Sequence, residues 1–211
     1  MSLTDMETAE ALFALWRAER PEYVPFSDDG ILIPLVWKAE KPKIAFILKE
    51  SNDDFYDIRG KSHGPNGNCT CFWRNINMWS YVLKQAINGN PVTFEGAYER
   101  KEDVVGHVAY VNLKKYAQHR SVANDADIAA YVQRDWPFID RQISLIGPDV
   151  LMCGGTFKYI SGKLGVVQLG DRLYKAGGTI VVDFHHPAYW QPGYQANFDY
   201  LCQILSKLPK S

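Results

Sequence analysis

One apolar run in this chain ends directly in side chains that could carry out acid–base chemistry. Ile44–Leu48 is a run of apolar residues, and Glu50, Asn52, Asp53 and Asp54 follow it. A carboxylate placed at a reacting centre can act as a general base or stabilise a developing positive charge. A solvated loop with a helix cap has the same composition, so on this stretch alone both interpretations stay open.

Three further apolar runs end in residues with comparable chemistry. They are followed by Asn112 with Lys114 and Lys115, by Gly154-Gly155, and by His185-His186-Pro187. An amide offers both a donor and an acceptor, free N–H groups at a helix N-terminus can hold a phosphate, and a histidine can donate or take a proton. Each of these also has a simpler interpretation, because diglycines commonly form turns and loop histidines commonly bond to backbone groups.

Positioning these residues together requires an open sheet. The apolar runs read as buried strands, and amphipathic segments alternate with them, which indicates right-handed βαβ units. We expect an α/β fold, a three-layer α/β/α sandwich with a central, mainly parallel four-stranded sheet. Since ligands bind outside the carboxyl ends of parallel strands, we expect Glu50, Asn112 and His186 to share one cleft.

The connecting segments carry weaker signals. A capping-box pattern at 4–7 predicts the start of the first helix, and residues 31–37 could add an edge strand. The long stretch 55–71 is typical of a functional or mobile loop. Pro137 predicts a split or kink in the helix that precedes the third strand, and residues 164–178 read as an irregular excursion.

Composition limits the class of protein. The 211 residues are 46% hydrophobic, with no repeat or change in composition, which predicts a single domain over 1–211 whose first 42 residues form a helix and an irregular lead-in. A net charge of −1 gives no global attraction to nucleic acid, so any such contact needs a local basic patch. No apolar run approaches the ~18 residues of a membrane span.

The cysteines and the N-terminal residues indicate where in the cell the protein is expected. The four cysteines have no regular spacing, which favours reduced thiols in the cytoplasm. The acidic start, with Asp5, Glu7 and Glu10, does not match a signal peptide. Cys69-x-Cys71 near His63 fits no standard zinc spacing, so we expect no metal there.

The order of these segments resembles the uracil-DNA glycosylase superfamily, and it is closest to the thermostable iron–sulfur branch. Residues 137–151, PFIDRQISLIGPDVL, are similar to that branch's helix-to-strand run PFLxxQIxLIxPKVI. Residues 108–115 are similar to its strand ending in TNxxK, and 186–188 to its HPS/HPA loop. Residues 48–54 occupy the place of GEAPG, and Phe72 that of an aromatic stacking residue. The agreement runs from about residue 43 to the C-terminus.

The resemblance implies a role for each matched residue. Glu50 or Asp53 would orient water and stabilise the oxocarbenium-like sugar, and His186 would hydrogen-bond the departing base. Asn112 would read the base edge of a flipped nucleotide, and Phe72 would stack on the base. The same resemblance places Asn52, Lys115, Gly154, Gly155 and Pro187 in substrate binding, with Gly154-Gly155 on a backbone phosphate and Tyr189-Trp190 as a wedge in the duplex.

The chain also departs from this pattern. Lys49 replaces a glycine and Ser51-Asn52 replaces Ala-Pro, while Tyr116 and Asp135 stand where cluster-ligating cysteines would be. We therefore expect no cofactor and a monomer that acts on DNA or a small nucleobase ligand. A non-catalytic nucleobase-binding protein and a hydrolase of small nucleosides or nucleotides remain alternatives. Duplex DNA would need a basic rim, for which the candidates are Lys114, Lys115, Arg120 and Lys158.

The replaced ligands predict a protein without an iron–sulfur cluster or zinc, because neither Tyr116 nor Asp135 supplies a thiolate. Purified protein should be colourless and contain far less than one equivalent of iron or zinc by elemental analysis. A brown preparation that loses its colour on acidification would show that other residues ligate a cluster.

Overall fold

The computed structural model describes residues 3–50, 71–100, 105–116 and 123–209. In these ranges seven strands form one mixed sheet. The strands are β1 (Gly30–Ile31), β2 (Ile44–Leu48), β3 (Ala109–Asn112), β4 (Val150–Gly154), β5 (Val167–Gly170), β6 (Leu173–Ala176) and β7 (Thr179–Phe184). Their order across the sheet is β1-β3-β2-β4-β7-β6-β5. β3, β2, β4 and β7 are mutually parallel, and β1, β6 and β5 pair antiparallel.

Helices cover both faces of the sheet. They are α1 (Ala9–Glu19), α2 (Pro34–Ala39), α3 (Cys71–Ile87), α4 (Phe94–Tyr98), α5 (Asp125–Ile146), α6 (Phe157–Leu164) and α7 (Tyr194–Leu205). In the part of the chain that the structure describes, none of the helices has the length and apolar character needed to cross a membrane.

Alternating strand residues divide the core into two halves. Ile44, Phe46 and Leu48 pack with α3, α4 and α7, whereas Ala45 and Ile47 pack with α1, α2, α5 and α6. This period of two follows from the pleat of a strand, and burial on both faces explains why β2 is apolar throughout. The architecture is therefore the expected three-layer α/β/α sandwich.

The register brings the carboxyl ends of the four parallel strands to one edge of the sheet. Leu48 pairs with Asn112, Ile47 pairs with Cys153, and Gly154 pairs with Phe184. From β2 the chain continues into α3 on one face, and from β4 it continues into α6 on the other. A crevice opens where successive connections leave on opposite faces, so the β2–β4 boundary is the expected ligand position in this fold class.

The sheet is larger than the four predicted strands. Residues 164–178, expected to be irregular, contain the antiparallel hairpin β5–β6, which continues the sheet beyond β7. The edge strand expected within 31–37 is only Gly30–Ile31, and α2 begins at Pro34. Proline is favoured in the first turn of a helix because its missing N–H is not needed there.

Two helix boundaries also differ from the sequence expectation. α1 begins at Ala9, where the Thr8 hydroxyl accepts the N–H of Ala11 at 3.2 Å, rather than at the capping-box pattern of 4–7. α5 is continuous from Asp125 to Ile146, so of the predicted split or kink at Pro137 the split does not occur. Gly147 ends α5 in the left-handed conformation, φ +58°, and Pro148 follows it.

A buried carboxylate connects the lead-in to β3 and α5. Asp29 Oδ2 accepts the backbone N–H of Asn112 at 2.7 Å, and Asp29 Oδ1 accepts Lys115 Nζ and Gln142 Nε2, each at 2.6 Å. The side chains of Lys115 and Asp29 are 0% and 2% exposed. Burial lowers the pKa of Lys115, and the carboxylate of Asp29 opposes that shift.

Asp29→Ala should lower the free energy of unfolding by about 3–5 kcal/mol, because it leaves the Lys115 ammonium buried without its counter-ion. Urea unfolding at neutral pH measures this change. The matched control is Glu22→Ala, which removes an exposed ion pair to Arg134 (3.4 Å) and should cost less than about 1 kcal/mol. Equal losses for the two variants would show that the Asp29 network contributes no more than a surface pair.

Candidate functional site

A tight turn after β7 holds the histidine of the site. The backbone N–H of Tyr189 donates to the carbonyl of His186 at 2.8 Å, with Pro187 at the second position of the turn, where proline is favoured. The N–H of Ala188 donates to His186 Nδ1 at 3.2 Å. Because Nδ1 accepts this hydrogen bond, the proton of the neutral imidazole resides on Nε2.

The surroundings of His186 favour its neutral form. Burial, followed by the positive charge of Lys49, lowers the pKa of His186 from 6.5 to about 4. Both effects act in the same direction, since each disfavours a second positive charge in a poorly solvated position. At neutral pH, His186 is therefore a hydrogen-bond donor through Nε2 that carries no charge.

Several of the predicted site residues surround this turn. The ring of Phe72, in the first turn of α3, lies 5.9 Å from the imidazole of His186, centroid to centroid. A Cβ on Gly154 would come within 3.1 Å of Leu48 and of the buried Pro187, so a larger residue there would crowd the contact between β2, β4 and the turn. Phe72, Gly154, Gly155, His186 and Pro187 thus belong to one neighbourhood.

The phosphate role expected for the diglycine is not supported by its hydrogen bonds. The N–H of Gly155 donates to the carbonyls of Cys153 (2.9 Å) and Phe184 (2.8 Å), so it is already engaged. Gly155 has φ +70°, and a Cβ added to it would lie 4.0 Å from His186 Cβ. Its role in the structure is to close the ends of β4 and β7 beside the histidine turn.

Asn112 lies at the corresponding end of β3 and is 4% exposed. Its backbone N–H is held by Asp29, and its position opposite Leu48 places it on the α3 face of the sheet. Among the residues that the structure describes, its side-chain amide makes no hydrogen bond. A nearly buried amide of this kind is suited to a ligand or an ordered water.

Glu50 is bound by a neighbouring lysine. Its Oε2 lies 2.6 Å from Lys114 Nζ, and the two side chains are 3% and 1% exposed. The rings of Tyr116 and Tyr131 lie 4.8 and 5.1 Å from the same ammonium. Glu50 is therefore part of a buried ion pair whose positive partner offsets the charge it could offer to a cationic transition state.

Lys115 does not reach the site. Its ammonium binds Asp29 and lies over the rings of Phe13 and Trp16, at 5.7 and 5.3 Å, in the core beneath α1. We therefore assign Lys115 to the core and not to substrate binding. The strand end had suggested an accessible cation, but a partner 86 positions away in sequence takes up the charge.

The expected basic rim is largely neutralised. Of its four candidates, Lys114 and Lys115 are buried in ion pairs, and Arg120 lies outside the described residues. Lys158 is exposed but binds Asp125, the first residue of α5. Hydrogen bonds from Lys158, then Lys49, then Tyr159 converge on Asp125 and hold its pKa well below the usual range.

The positions that would ligate a cluster in the resembled branch do not fit one. Asp135 is 1% exposed and accepts Arg20 Nε at 2.9 Å as well as the hydroxyl of Tyr23. The ring of Tyr116 stacks on that of Tyr23, with centroids 5.8 Å apart. These contacts make Asp135 and Tyr116 structural residues between α1 and α5.

Some sequence predictions concern residues that the structure does not describe. Asn52, Asp53, His63 and Cys69 lie outside the described ranges. Asp53 as the catalytic carboxylate therefore stays a prediction, and so does Asn52 as a substrate contact.

Sequence reasoning missed Asn75. This residue is fully buried in α3, and its Nδ2 donates to the carbonyls of Pro187 (2.7 Å) and Tyr189 (3.1 Å) on the histidine turn. A signal was present, since Asn75 precedes Trp79 by one helical turn and so interrupts the apolar stripe of α3.

Comparisons with known proteins add no assignment. No family model matches the chain, and a search of curated proteins finds no match.

The imidazole of His186 should titrate near pH 4, well below its ordinary value of 6.5. The unfolded chain takes up a proton near pH 6.5 and the folded protein only near pH 4, so the free energy of unfolding should fall as pH drops through this window. NMR titration measures the midpoint. Urea unfolding of wild type and His186→Gln at pH 7 and pH 5 measures the slope, which the substitution should reduce. Lys49→Gln should raise the midpoint without restoring 6.5, because burial is the larger cause. A wild-type midpoint near 6.5 would contradict the buried, neutral imidazole.

Proposed function

We propose that this chain is a uracil-DNA glycosylase-like hydrolase, which cleaves the N-glycosidic bond of uracil or a related damaged base. The observation that carries the proposal is His186, which is held neutral with its proton on Nε2 beside an aromatic ring at the carboxyl edge of the sheet. The residue order that resembles the superfamily supports the same assignment.

The chemistry requires a donor aimed at negative charge. When an N-glycosidic bond breaks, the base leaves as an anion and the sugar develops oxocarbenium character. A neutral imidazole N–H hydrogen-bonds the anion more strongly than the uncharged ground state, so the contact favours the transition state. The ammonium of Lys49 lies close enough to lower the pKa of His186, while its own charge is paired with Asp125.

Recognition of the base would fall to Asn112 and Phe72. The amide of Asn112 can pair with one acceptor and one donor on a pyrimidine edge, and Phe72 offers a face for stacking. Tyr189 and Trp190, 47% and 59% exposed just after the histidine, could occupy the space that the flipped nucleotide leaves.

The carboxylate that would act on the sugar is a choice between Glu50 and Asp53. Glu50 is neutralised by Lys114, so Asp53 is the better candidate for orienting water. The buried Glu50–Lys114 pair also favours the second candidate function, a nucleobase-binding protein of the same fold without hydrolysis. The neutralised rim in turn favours the third, a hydrolase of small nucleosides or nucleotides.

A release assay distinguishes these functions. Single- and double-stranded oligonucleotides with one uracil, hypoxanthine or xanthine are incubated with the protein, alongside the free nucleosides, and the released base is quantified. We expect release of uracil from an oligonucleotide, which Asp53→Asn should reduce more than Glu50→Gln. Release from nucleosides alone would support the third function, and binding without release would support the second.

Asn112→Asp should lower kcat/KM for a pyrimidine substrate by roughly ten- to hundredfold, since an unpaired buried group costs about 1–3 kcal/mol. The carboxylate presents only acceptors where the base needs a donor as well. Thermal melting should change less, because water can pair with the carboxylate in the unbound protein. The measurement compares release, or binding where there is no release, with wild type. Full activity in a folded variant would make Asn112 a turn residue that aspartate can replace.

A further inference from the structure

The amide of Asn75 is fully buried in α3 and donates hydrogen bonds to the histidine turn. Its Nδ2 donates to the carbonyls of Pro187 and Tyr189, at 2.7 and 3.1 Å, and it also lies 3.4 Å from the sulfur of Cys71. Cys71, one helical turn earlier, lies with its sulfur 3.6 Å from the carbonyl of Ala188. The start of α3 is therefore attached to three successive carbonyls of the turn.

This attachment acts on His186 through the peptide group between Pro187 and Ala188. The N–H of Ala188 donates to His186 Nδ1, and this hydrogen bond determines which ring nitrogen keeps the proton. The carbonyl of Pro187 and the N–H of Ala188 belong to one planar peptide group, so the hydrogen bond from Asn75 to that carbonyl also restricts the direction of the N–H. The orientation of the Ala188 N–H thus depends on a side chain that belongs to a different element.

We propose that Asn75 is a positioning residue, which fixes the His186–Tyr189 turn so that His186 keeps its proton on Nε2. The consequence for catalysis rests on the proposed glycosylase function. The effect on the imidazole does not depend on it.

The residue type suits this role. One amide nitrogen carries two N–H donors, which match two carbonyls, whereas leucine has nearly the same shape without a donor and serine has only one donor. The amide oxygen of Asn75 is buried and has no hydrogen-bond partner among the described residues. A solvent-facing or purely packing position would not retain a group with an unmet acceptor, so the donors account for the presence of asparagine.

The test reads the imidazole directly. Long-range ¹H–¹⁵N correlation spectra at neutral pH distinguish a protonated from an unprotonated ring nitrogen, and His186→Gln identifies the resonances among the five histidines. In the wild type, Nδ1 should be unprotonated and Nε2 protonated. In Asn75→Leu, the ratio of the Nε2–H to the Nδ1–H tautomer should fall about fivefold, the change expected when one neutral hydrogen bond is weakened.

Ser80→Ala is the matched control. Ser80 is also buried in α3, and its hydroxyl donates to the carbonyl of Ile76 at 2.6 Å, away from the turn. It should lower thermal stability and leave the tautomer ratio unchanged. If Asn75→Leu does not fold, Asn75→Ser keeps one donor and should give an intermediate ratio.

Two results would overturn the inference: a wild-type His186 protonated on Nδ1, or a wild-type ratio in a folded Asn75 variant. If the protein releases uracil, Asn75→Leu should also lower kcat about tenfold with little change in KM, as expected for a contact made in the transition state. If the protein releases no base, the proposed function fails while the spectra still decide the role of Asn75.

Discussion

The carboxylate of Asp29 is the contact on which the carboxyl edge of the sheet depends. It accepts hydrogen bonds from three donors: the backbone N–H of Asn112 at the end of β3, the ammonium of Lys115 and the amide of Gln142 in α5. One of them is the backbone N–H of Asn112, so the peptide that presents the candidate reading amide is fixed by a residue of the lead-in. The segment between α1 and β2, which contains Asp29 and was expected to be an irregular lead-in, therefore helps to position Asn112. A buried carboxylate is stable in this position only when a positive charge pairs with it, and Lys115 is that partner.

Charged and uncharged side chains lie on different sides of the same edge of the sheet. On the β2 and β3 side, the ion pairs Glu50–Lys114 and Asp29–Lys115 are buried and internally compensated. On the β4 and β7 side, His186 is held uncharged by burial and by Lys49. An uncharged base can enter such a site without displacing a counter-ion. Under the proposed function, the departing anion would meet a fixed donor in a poorly solvated setting, where electrostatic contacts are stronger than in water.

The four parallel strands could be predicted from sequence because burial on both faces leaves continuous apolar runs, as in Ile44–Leu48. The hairpin β5–β6 could not, since its first strand has only four residues and none of them is fully buried. Neither could the partners of Lys115 or Asn75, which lie 86 and 112 positions away. The local sequence pattern predicts which face of a helix or strand is buried. It does not predict the partner of a polar side chain on that face, because the partner comes from whichever element packs against it. For this reason the sequence predicted accessible cations at Lys114 and Lys115 and did not predict a role for Asn75.

The exposed cations near this edge bear on whether a substrate base would come from duplex DNA, single-stranded DNA or a small ligand. Among the described residues near this edge, Lys49 and Lys158 are the partly exposed lysines, and both bind the carboxylate of Asp125. A DNA phosphate would have to displace a carboxylate that is attached to the same molecule, so phosphate contacts here would contribute little to affinity. Affinity for duplex DNA rests mainly on such contacts and their release of counter-ions. Stacking on Phe72, Tyr189 and Trp190 needs no displaced ion and is available to any exposed base. Under the proposed function, the described part of this edge would therefore suit a base that is already unpaired, in a single strand or a small ligand, better than one that must be extracted from a duplex.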